Sequence, residues 1–358
     1  MTEFLYNNIV SQLKINSFKI KLIKKNKIFI KLIKSLLLHH YRTNKEFKYL
    51  YKKNDIKKIK KIEDIKFLSV RLFKEKELFS LKKRNVFKIL KSSGTSSDVT
   101  SKIFLDKKNA SLQTKTLIKI YKDFFKIDRL PMIIVDKKNL DKNNIYLSAN
   151  IAGANGFSNL GKDITYVLNE DLTINYQILN NFIKKYRNSK KLIFGLTNII
   201  WDKFICQLKK DNVKLDLNKS IIIHGGGWKK LQHLNINNQI FLQNIKQQLN
   251  VKKVSNYYGM VEQVGSIFFE CQYNFFHSSI FSDVIIRDKF LKPLKNNNEG
   301  FIQLLSLLPV SYPGNSILTE DMGKIYGIDN CKCGRSGKYF KFTKRINQSE
   351  VRGCGDAT

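Results

Sequence analysis

Apolar positions change their period along this chain, and each change predicts a different kind of element. Between residues 13 and 40, Phe18, Leu22, Phe29, Ile33 and Leu36 recur at helical spacing while Lys21, Lys24, Lys27, Lys31 and Lys34 fill much of the remaining surface. That is the pattern of one or two basic amphipathic helices, whose apolar stripe either packs on the domain behind it or rests on an anionic membrane. Residues 52–66, rich in Lys, Ile and Asp, read as loop and helix, and residues 67–70 lead into a further helix. From residue 92 a loop over 92–101 precedes an amphipathic helix over 110–127. The apolar runs Met132-Ile133-Ile134-Val135, Leu192-Ile193-Phe194 and Ile221-Ile222-Ile223 follow, separated by helical stretches. Short apolar runs alternating with helices predict buried strands of a parallel α/β sheet, with functional loops at strand ends. Val284-Ile285-Ile286 and Phe301-Ile302-Gln303-Leu304-Leu305 read as antiparallel strands. Cys206 lies in a helical stretch and reads as core, and Ala152-Gly153-Ala154-Asn155-Gly156 is a plain loop or a passage that small side chains leave open to a ligand chain.

Composition narrows the class. With 358 residues, 42% of them hydrophobic, the chain can bury one large core or two moderate ones. The net charge of +36 points toward nucleic acid or an anionic membrane. Most of it is Lys, in a chain also rich in Asn and Ile, the joint signature of an A·T-rich coding sequence. No RNP, helix-turn-helix or paired-finger pattern interrupts it, so a solvated surface is expected rather than specific nucleic-acid recognition. Five cysteines, no apolar signal segment after Met1 and no run near the ~18 apolar residues of a membrane span predict a cytoplasmic chain with reduced thiols.

Candidate chemistry falls in six places. Ser92-Ser93-Gly94-Thr95-Ser96-Ser97, followed by Lys102, offers backbone N–H groups, hydroxyls and a cation to phosphate oxygens. It lacks the Gly-Lys-Ser/Thr ending of a Walker loop, and alone it matches a Ser/Thr-rich linker equally well. In Asn256-Tyr257-Tyr258-Gly259-Met260-Val261-Glu262 a ring and a carboxylate flank a glycine, suited to a base and to Mg²⁺ bridged to phosphate. The stretch from Ser311-Tyr312-Pro313-Gly314 to Asp321 ends on an acid able to accept from ribose hydroxyls. His224, ahead of Gly225, Gly226 and Gly227, is a pocket wall or a structural group. Cys271, His277, Cys331 and Cys333 suit tetrahedral Zn²⁺ by donor type, or are small buried hydrophobes beside an incidental His. Cys354 stands between two glycines with Arg352 nearby, which favours close approach of a large reaction partner and formation of thiolate.

Taken in order, Ser-Ser-Gly-Thr, the glycines at 225 and 226, Tyr-Gly-x-x-Glu, the Asp turn and Arg345 resemble the adenylate-forming superfamily of acyl-CoA synthetases and peptide-synthetase adenylation domains. Phe194-Gly195-Leu196-Thr197, Ile223-His224-Gly225-Gly226-Gly227-Trp228-Lys229-Lys230-Leu231 and Arg352-Gly353-Cys354-Gly355-Asp356 are similar to the acyl-protein synthetases of bacterial bioluminescence, from about residue 35 to the end. The resemblance implies an α/β fold: the large N-terminal domain of an adenylate-forming enzyme, with mixed sheets, flanking helices and no full mobile C-terminal lid. A basic helical region over 1–85, a core over 86–340 and a terminal segment over 341–358 are expected. It implies that Ser92, Ser93, Gly94, Thr95 and Lys102 meet ATP phosphates, that Gly225, Gly226, Tyr258 and Gly259 line the nucleotide site with Tyr258 on adenine, and that Glu262 holds Mg²⁺. Asp321 would hold ribose, Arg345 ribose or phosphate, and Cys354 the acyl group. Cys271, His277, Cys331 and Cys333 match a structural zinc site of phenylacetate-CoA ligase-like relatives. Val261, Ser97 and Lys344 depart from the superfamily pattern, the last where a hinge glycine is usual. The catalytic lysine of the lid has no counterpart, which shifts charge neutralisation to Mg²⁺, Lys102 and Arg345. The expected activity is ATP-dependent activation of a long-chain fatty acid and its capture as a thioester for a partner such as an acyl reductase or acyltransferase. The alternatives are an acyl-CoA or acyl-carrier ligase in lipid or saccharide modification, and a basic scaffold binding nucleic acid or membrane.

Overall fold

The computed structural model describes residues 2–92, 100–138, 146–227 and 236–346, without the side chains of 146–150 and 152. The chain divides into two compact units, one of Phe125–Tyr258 and one of Met1–Phe124 with Gly259–Thr358.

In the unit of residues 125–258, strands Lys253–Tyr258, Ser220–Gly225, Lys191–Leu196, Leu130–Lys137 and Gly161–Leu168 lie side by side in that order, each neighbour parallel. The apolar runs named above are its buried strands, as expected where helices cover both faces of a sheet. Helices Tyr176–Lys185 and Asn238–Leu249 start where Asn175 and Asn237 accept from the N–H groups of Ile178 (3.0 Å) and Ile240 (2.9 Å), satisfying otherwise orphaned donors. Their apolar faces, Leu179 and Phe182 on one and Phe241, Ile245 and Leu249 on the other, join Ile133, Ile193 and Ile222 in one core. The small-residue run, read as either a plain loop or a passage for a ligand chain, is part of a helix, Ala149–Ser158. Its Phe157 stacks on Phe194 at 4.3 Å and lies 4.6 Å from the Tyr257 ring, so aromatic packing overrides the weak helix propensity of glycine.

The other unit is built on an antiparallel sheet in the order Phe276–His277, Lys338–Arg345, Ser316–Ile328, Glu299–Ser306, Ser282–Arg287, with Leu68–Ser69 added in parallel along Ser316–Ile328. The basic helix is one 22-residue element, Leu22–Thr43. Phe29, Leu32, Ile33, Leu36 and Leu37 are buried within this unit while Ile23 is 78% exposed, so the stripe that suggested lipid contact is used up by packing. Lys25, on the same face, is 2% exposed and meets Asp283 at 3.0 Å, and Lys338 meets the other oxygen of Asp283 at 3.0 Å. Lys25 also donates to Ser282 O at 2.7 Å and Lys338 to Val284 O at 2.9 Å, so helix and sheet are joined by hydrogen-bonded buried charge. No described helix is long and apolar enough to cross a membrane.

Candidate functional site

The hydroxyl-rich stretch lies in sequence between two antiparallel strands, Lys88–Lys91 and Lys102–Leu105. Ser92 continues the pairing twice: its N–H donates to Ser101 O (3.1 Å), and its Oγ accepts from Ser101 N–H (2.9 Å). Its hydroxyl oxygen thus already serves that pairing. Ser93, Gly94 and Thr95 lie outside the described residues. Lys102, at the start of the returning strand, pairs with Glu77 at 3.1 Å where both are about half exposed, a contact weak enough to yield to a stronger anion.

Against these strands runs a segment, residues 307–315, that is buried throughout but neither helix nor strand. Buried irregular backbone must find side-chain partners. Asn109 supplies several: its Nδ2 donates to Leu308 O (2.8 Å) and its Oδ1 accepts from the N–H groups of Val310 (3.0 Å) and Ser311 (2.9 Å). Asn315 donates to Pro309 O (2.9 Å), and His39 reaches Val310 O (3.1 Å). His40 Nε2 lies 3.3 Å from Pro309 O and its Nδ1 2.7 Å from Ser80 Oγ. Because a carbonyl only accepts, His40 is neutral with its proton on Nε2. Burial first, then His39, lowers its pKa to about 3.

This segment holds Glu262 in place. The short turn Val261–Gln263 brings Gln263 against it, where Nε2 donates to Gly314 O (2.7 Å) and Leu304 O (3.1 Å). Gly314 is required there: a Cβ would stand 2.6 Å from Glu262 O and 2.4 Å from the Tyr312 ring. Glu262 is 4% exposed, and burial raises its pKa against the Ser101 hydroxyl and the more remote charges of Lys74 and Arg345. Tyr312, fully buried, is raised by burial and by the Glu262 charge, and its hydroxyl accepts from Gln113 at 3.5 Å. A carboxylate so dry favours either a proton or a cation. Its hard oxygens fit Mg²⁺, which would supply charge neutralisation to a bound polyphosphate.

Asp321 and Arg345 are opposite residues of neighbouring strands. They are brought together as a forked pair, Arg345 Nε to Oδ1 at 2.7 Å and a terminal nitrogen to Oδ2 at 3.3 Å. The proposed ribose acceptor is therefore held here by its own neighbouring guanidinium. Glu320 pairs with Arg71 at 2.6 Å, and Lys344 lies in the strand ladder opposite Met322.

In the unit of residues 125–258, Gly225 is required because a Cβ would meet the Tyr257 ring at 2.5 Å, and Gly226 and Gly227 have φ of +83° and +67°, the left-handed region. His224 is 3% exposed, its Nδ1 3.0 Å from Thr197 Oγ1, which in turn donates to Gly225 O. Burial lowers its pKa to about 3, so it acts as a neutral structural group at the strand end. Tyr258, half-buried, ends the last parallel strand, and Gly259 follows.

Cys271, His277, Cys331 and Cys333 converge although their two halves lie far apart in sequence. Pairing of Phe276–His277 with Lys338–Arg345 does it, and all four ligand atoms lie within 4.8 Å of one another. Cys333 Sγ is 3.3 Å from His277 Nε2. A hydrogen bond with Cys333 raises the Cys271 thiol, and the same bond, with help from His277, lowers Cys333 to about 2. Three sulfurs and an imidazole fit a closed tetrahedral zinc site. Cys354 lies outside the described residues.

Five contributors escaped the sequence reading: Ser101, Asn109, Gln113, Gln263 and the His39–His40 pair. Their neighbours in sequence are mostly polar or mixed and carry no motif, so what marks them is only that burial of such a group demands a partner.

The fold is that of the adenylate-forming enzymes. It is similar to an open conformation of 2-hydroxyisobutyryl-CoA ligase in complex with 2-HIB-AMP and CoA, at 11% identity over 92% of this chain and 77% of that one, with a TM-score of 0.70. The same ligase in its thioesterification state gives 0.69 at 10% identity, covering 92% and 70%. A long-chain-fatty-acid-CoA ligase from Archaeoglobus fulgidus gives 0.50 at 11% identity, covering 74% and 52%. No curated protein sequence matches the chain significantly. The model of the acyl-protein synthetase family LuxE matches residues 7–358, and the chain belongs to that family.

Proposed function

We propose that this protein activates a long-chain fatty acid with ATP and captures it as a thioester on Cys354 for delivery to a partner such as an acyl reductase. The acid's carboxylate oxygen attacks the α-phosphorus and pyrophosphate leaves. The Cys354 thiolate then attacks the acyl carbon and AMP leaves. The observation that carries the first half is the buried Glu262 carboxyl, fixed by Gln263, Gly314 and the segment behind them. Glu262 would hold Mg²⁺, Lys102 and Arg345 would meet phosphate, and Asp321 would exchange its arginine for ribose hydroxyls. Gly225, Gly226, Tyr258 and Gly259 would line the nucleotide side, and the Cys271, His277, Cys331, Cys333 cluster would hold zinc as a structural clamp. Family membership supports the second half.

ATP–pyrophosphate exchange dependent on fatty acid tests activation. Glu262→Gln should lose at least about tenfold, since an amide cannot hold Mg²⁺ equivalently, and undiminished exchange would remove the assigned role. Intact mass after incubation with ATP, Mg²⁺ and fatty acid tests capture. An acyl adduct absent from Cys354→Ala is expected, whereas release of all acyl groups to added coenzyme A without an adduct would favour a direct-transfer ligase.

A further inference from the structure

Strands Ser282–Arg287 and Glu299–Ser306 are antiparallel neighbours, and the chain leaving the first of them turns sharply over Asp288-Lys289-Phe290-Leu291-Lys292. The turn is fixed from within. Asp288 Oδ1 accepts from the N–H groups of Phe290 (2.9 Å) and Lys292 (2.8 Å), and Asp288 O accepts from Leu291 N–H (3.0 Å). Asp288 N–H donates to Lys292 O (2.9 Å), and the buried Arg287 donates to Leu291 O (2.7 Å) while reaching back to Glu63 O and Ile65 O. Three N–H groups and two carbonyls of the tip thus have partners without water. The side chains do the opposite. Phe290 is 71% and Leu291 40% exposed, and Leu291 holds a φ of +64°, which glycine or asparagine adopts more easily than a bulky side chain.

Single apolar residues at a surface are ordinary, but this pair stands on a rigid turn among cations. Lys289, Lys292 and Lys295 are exposed, and the acid of the turn, Asp288, is occupied by its backbone. A second solvated pair, Tyr49 and Leu50, belongs to the same neighbourhood, since Tyr51 donates to Lys66 O and Arg287 to Ile65 O. Lys45, Lys48, Lys52 and Lys53 flank that pair in sequence, all exposed.

We propose that this tip docks the protein on an anionic phospholipid membrane, with Phe290 and Leu291 entering the interface and the lysines meeting lipid phosphates. Charge complementarity selects the partner: the headgroup boundary takes up aromatic and leucine side chains seated beside lysines. A backbone that already satisfies itself matters there, because polar groups entering lipid without partners are costly. A second copy of this chain, at a net charge of +36, would be repelled. A protein interface needs about 800 Å² per side with few charges at its centre, the reverse of two side chains among lysines. The basic helix Leu22–Thr43 cannot serve, its stripe being buried. Docking of this kind is independent of the activity proposed above.

The test is cosedimentation of the full-length protein at physiological salt with vesicles of phosphatidylcholine, with and without phosphatidylglycerol. Binding is expected only to the anionic vesicles. Phe290→Ser should lower the partition coefficient by about tenfold, through the lost burial of one ring, and Lys289→Gln combined with Lys292→Gln by about tenfold or more. Leu291→Gly should lower it severalfold while leaving the melting temperature unchanged or raised, since glycine suits the left-handed turn. Lys209→Gln combined with Lys210→Gln, an equal loss of charge on the helix Cys206–Lys210, should change it less than about twofold. Fluorescence of the Phe290→Trp protein should shift to the blue on the anionic vesicles and be quenched by brominated acyl chains. Absence of binding to anionic vesicles, equal losses from both lysine pairs, or full binding by the Phe290→Ser protein would overturn the proposal. A Leu291→Gly protein that melts much lower would make that side chain part of the fold instead, and a Phe290→Trp signal that moves with polyglutamate but not with vesicles would replace the membrane by an acidic protein.

Discussion

Asp283 gives the sharpest stability prediction, because it is one carboxylate shared by two buried lysines. Lys25 and Lys338 each approach it at 3.0 Å, and all three residues are 5% exposed or less. At an effective dielectric of about 20, each attraction at that distance is roughly 5 kcal/mol, against a desolvation penalty of several kcal/mol per ion. The net value of the intact triad is therefore small, while removal of Asp283 strands the Lys25 ammonium in a dry site and leaves Lys338 only the part-exposed Glu63 at 3.9 Å. Burial pulls the Lys25 pKa down, and the two lysines, against the opposing pull of burial, hold Asp283 below the usual carboxylate range. Both shifts mark a site crowded with positive charge. Asp283→Asn should cost at least about 4 kcal/mol, in line with broken buried pairs, and lower the melting temperature by roughly ten degrees. Lys25→Met should behave oppositely. It leaves a one-to-one pair of Asp283 with Lys338 and relieves one desolvation, at the loss of bonds to Ser282 O and Ser278 Oγ, for a net change within about 1.5 kcal/mol. Urea unfolding followed by circular dichroism measures both. If Asp283→Asn costs under about 1 kcal/mol, or Lys25→Met as much as Asp283→Asn, the triad is not organised by its carboxylate.

Three further outcomes are expected. Protein purified without added metal should contain one zinc per chain, and chelation or Cys331→Ser should lower its melting temperature while leaving fatty-acid preference unchanged; zinc-free protein of unaltered stability would discard the site. His40 and His224 are held neutral with pKa values near 3, below the unfolded value of about 6.5, so the unfolded chain takes up more protons between these limits. Stability should be full above pH 6.5 and fall as pH drops toward 3, by up to about 1.4 kcal/mol per unit for each histidine, and His40→Gln should flatten the slope seen in unfolding at stepped pH. Cys354→Ala should retain pyrophosphate exchange within twofold yet show no acyl adduct by intact mass, whereas labelling at wild-type level would move the acceptor elsewhere.

The parallel sheet was legible because a strand covered on both faces must be apolar at every position, and runs such as Ile221-Ile222-Ile223 have few other uses. The long basic helix was legible by period, but the partner of its stripe was not: the same pattern serves a lipid surface and a protein core. What decides is Lys25, which a helical wheel places on the stripe with Phe29 and Ile33 and which pairs with a residue 258 positions away. The run at 152–156 misled because glycine and alanine carry no periodic signal, and the helix there depends on the contacts of Phe157.

At the candidate site, sequence marks the residues that would touch ligand more readily than those that hold them. Glycine, tyrosine, glutamate and aspartate at Gly225, Tyr258, Glu262 and Asp321 stand out by type and order, since a turn, a ring or a carboxylate in a loop has recognisable chemistry. Asn109, Gln263, His39 and His40 are as specific in space and silent in sequence, because what they satisfy is backbone of residues 304–314 that carries no motif of its own. That segment is buried because Tyr312 and Pro313 belong to the core. It is irregular because Gly314 must pass within van der Waals distance of Glu262. Those two demands conflict for any backbone that satisfies itself by helix or sheet bonds, and amide and imidazole side chains brought from helices Leu22–Thr43 and Lys107–Phe125 reconcile them. A carboxylate fixed by such a scaffold loses little freedom on meeting a metal, so the cost of ordering it falls on folding rather than on substrate binding.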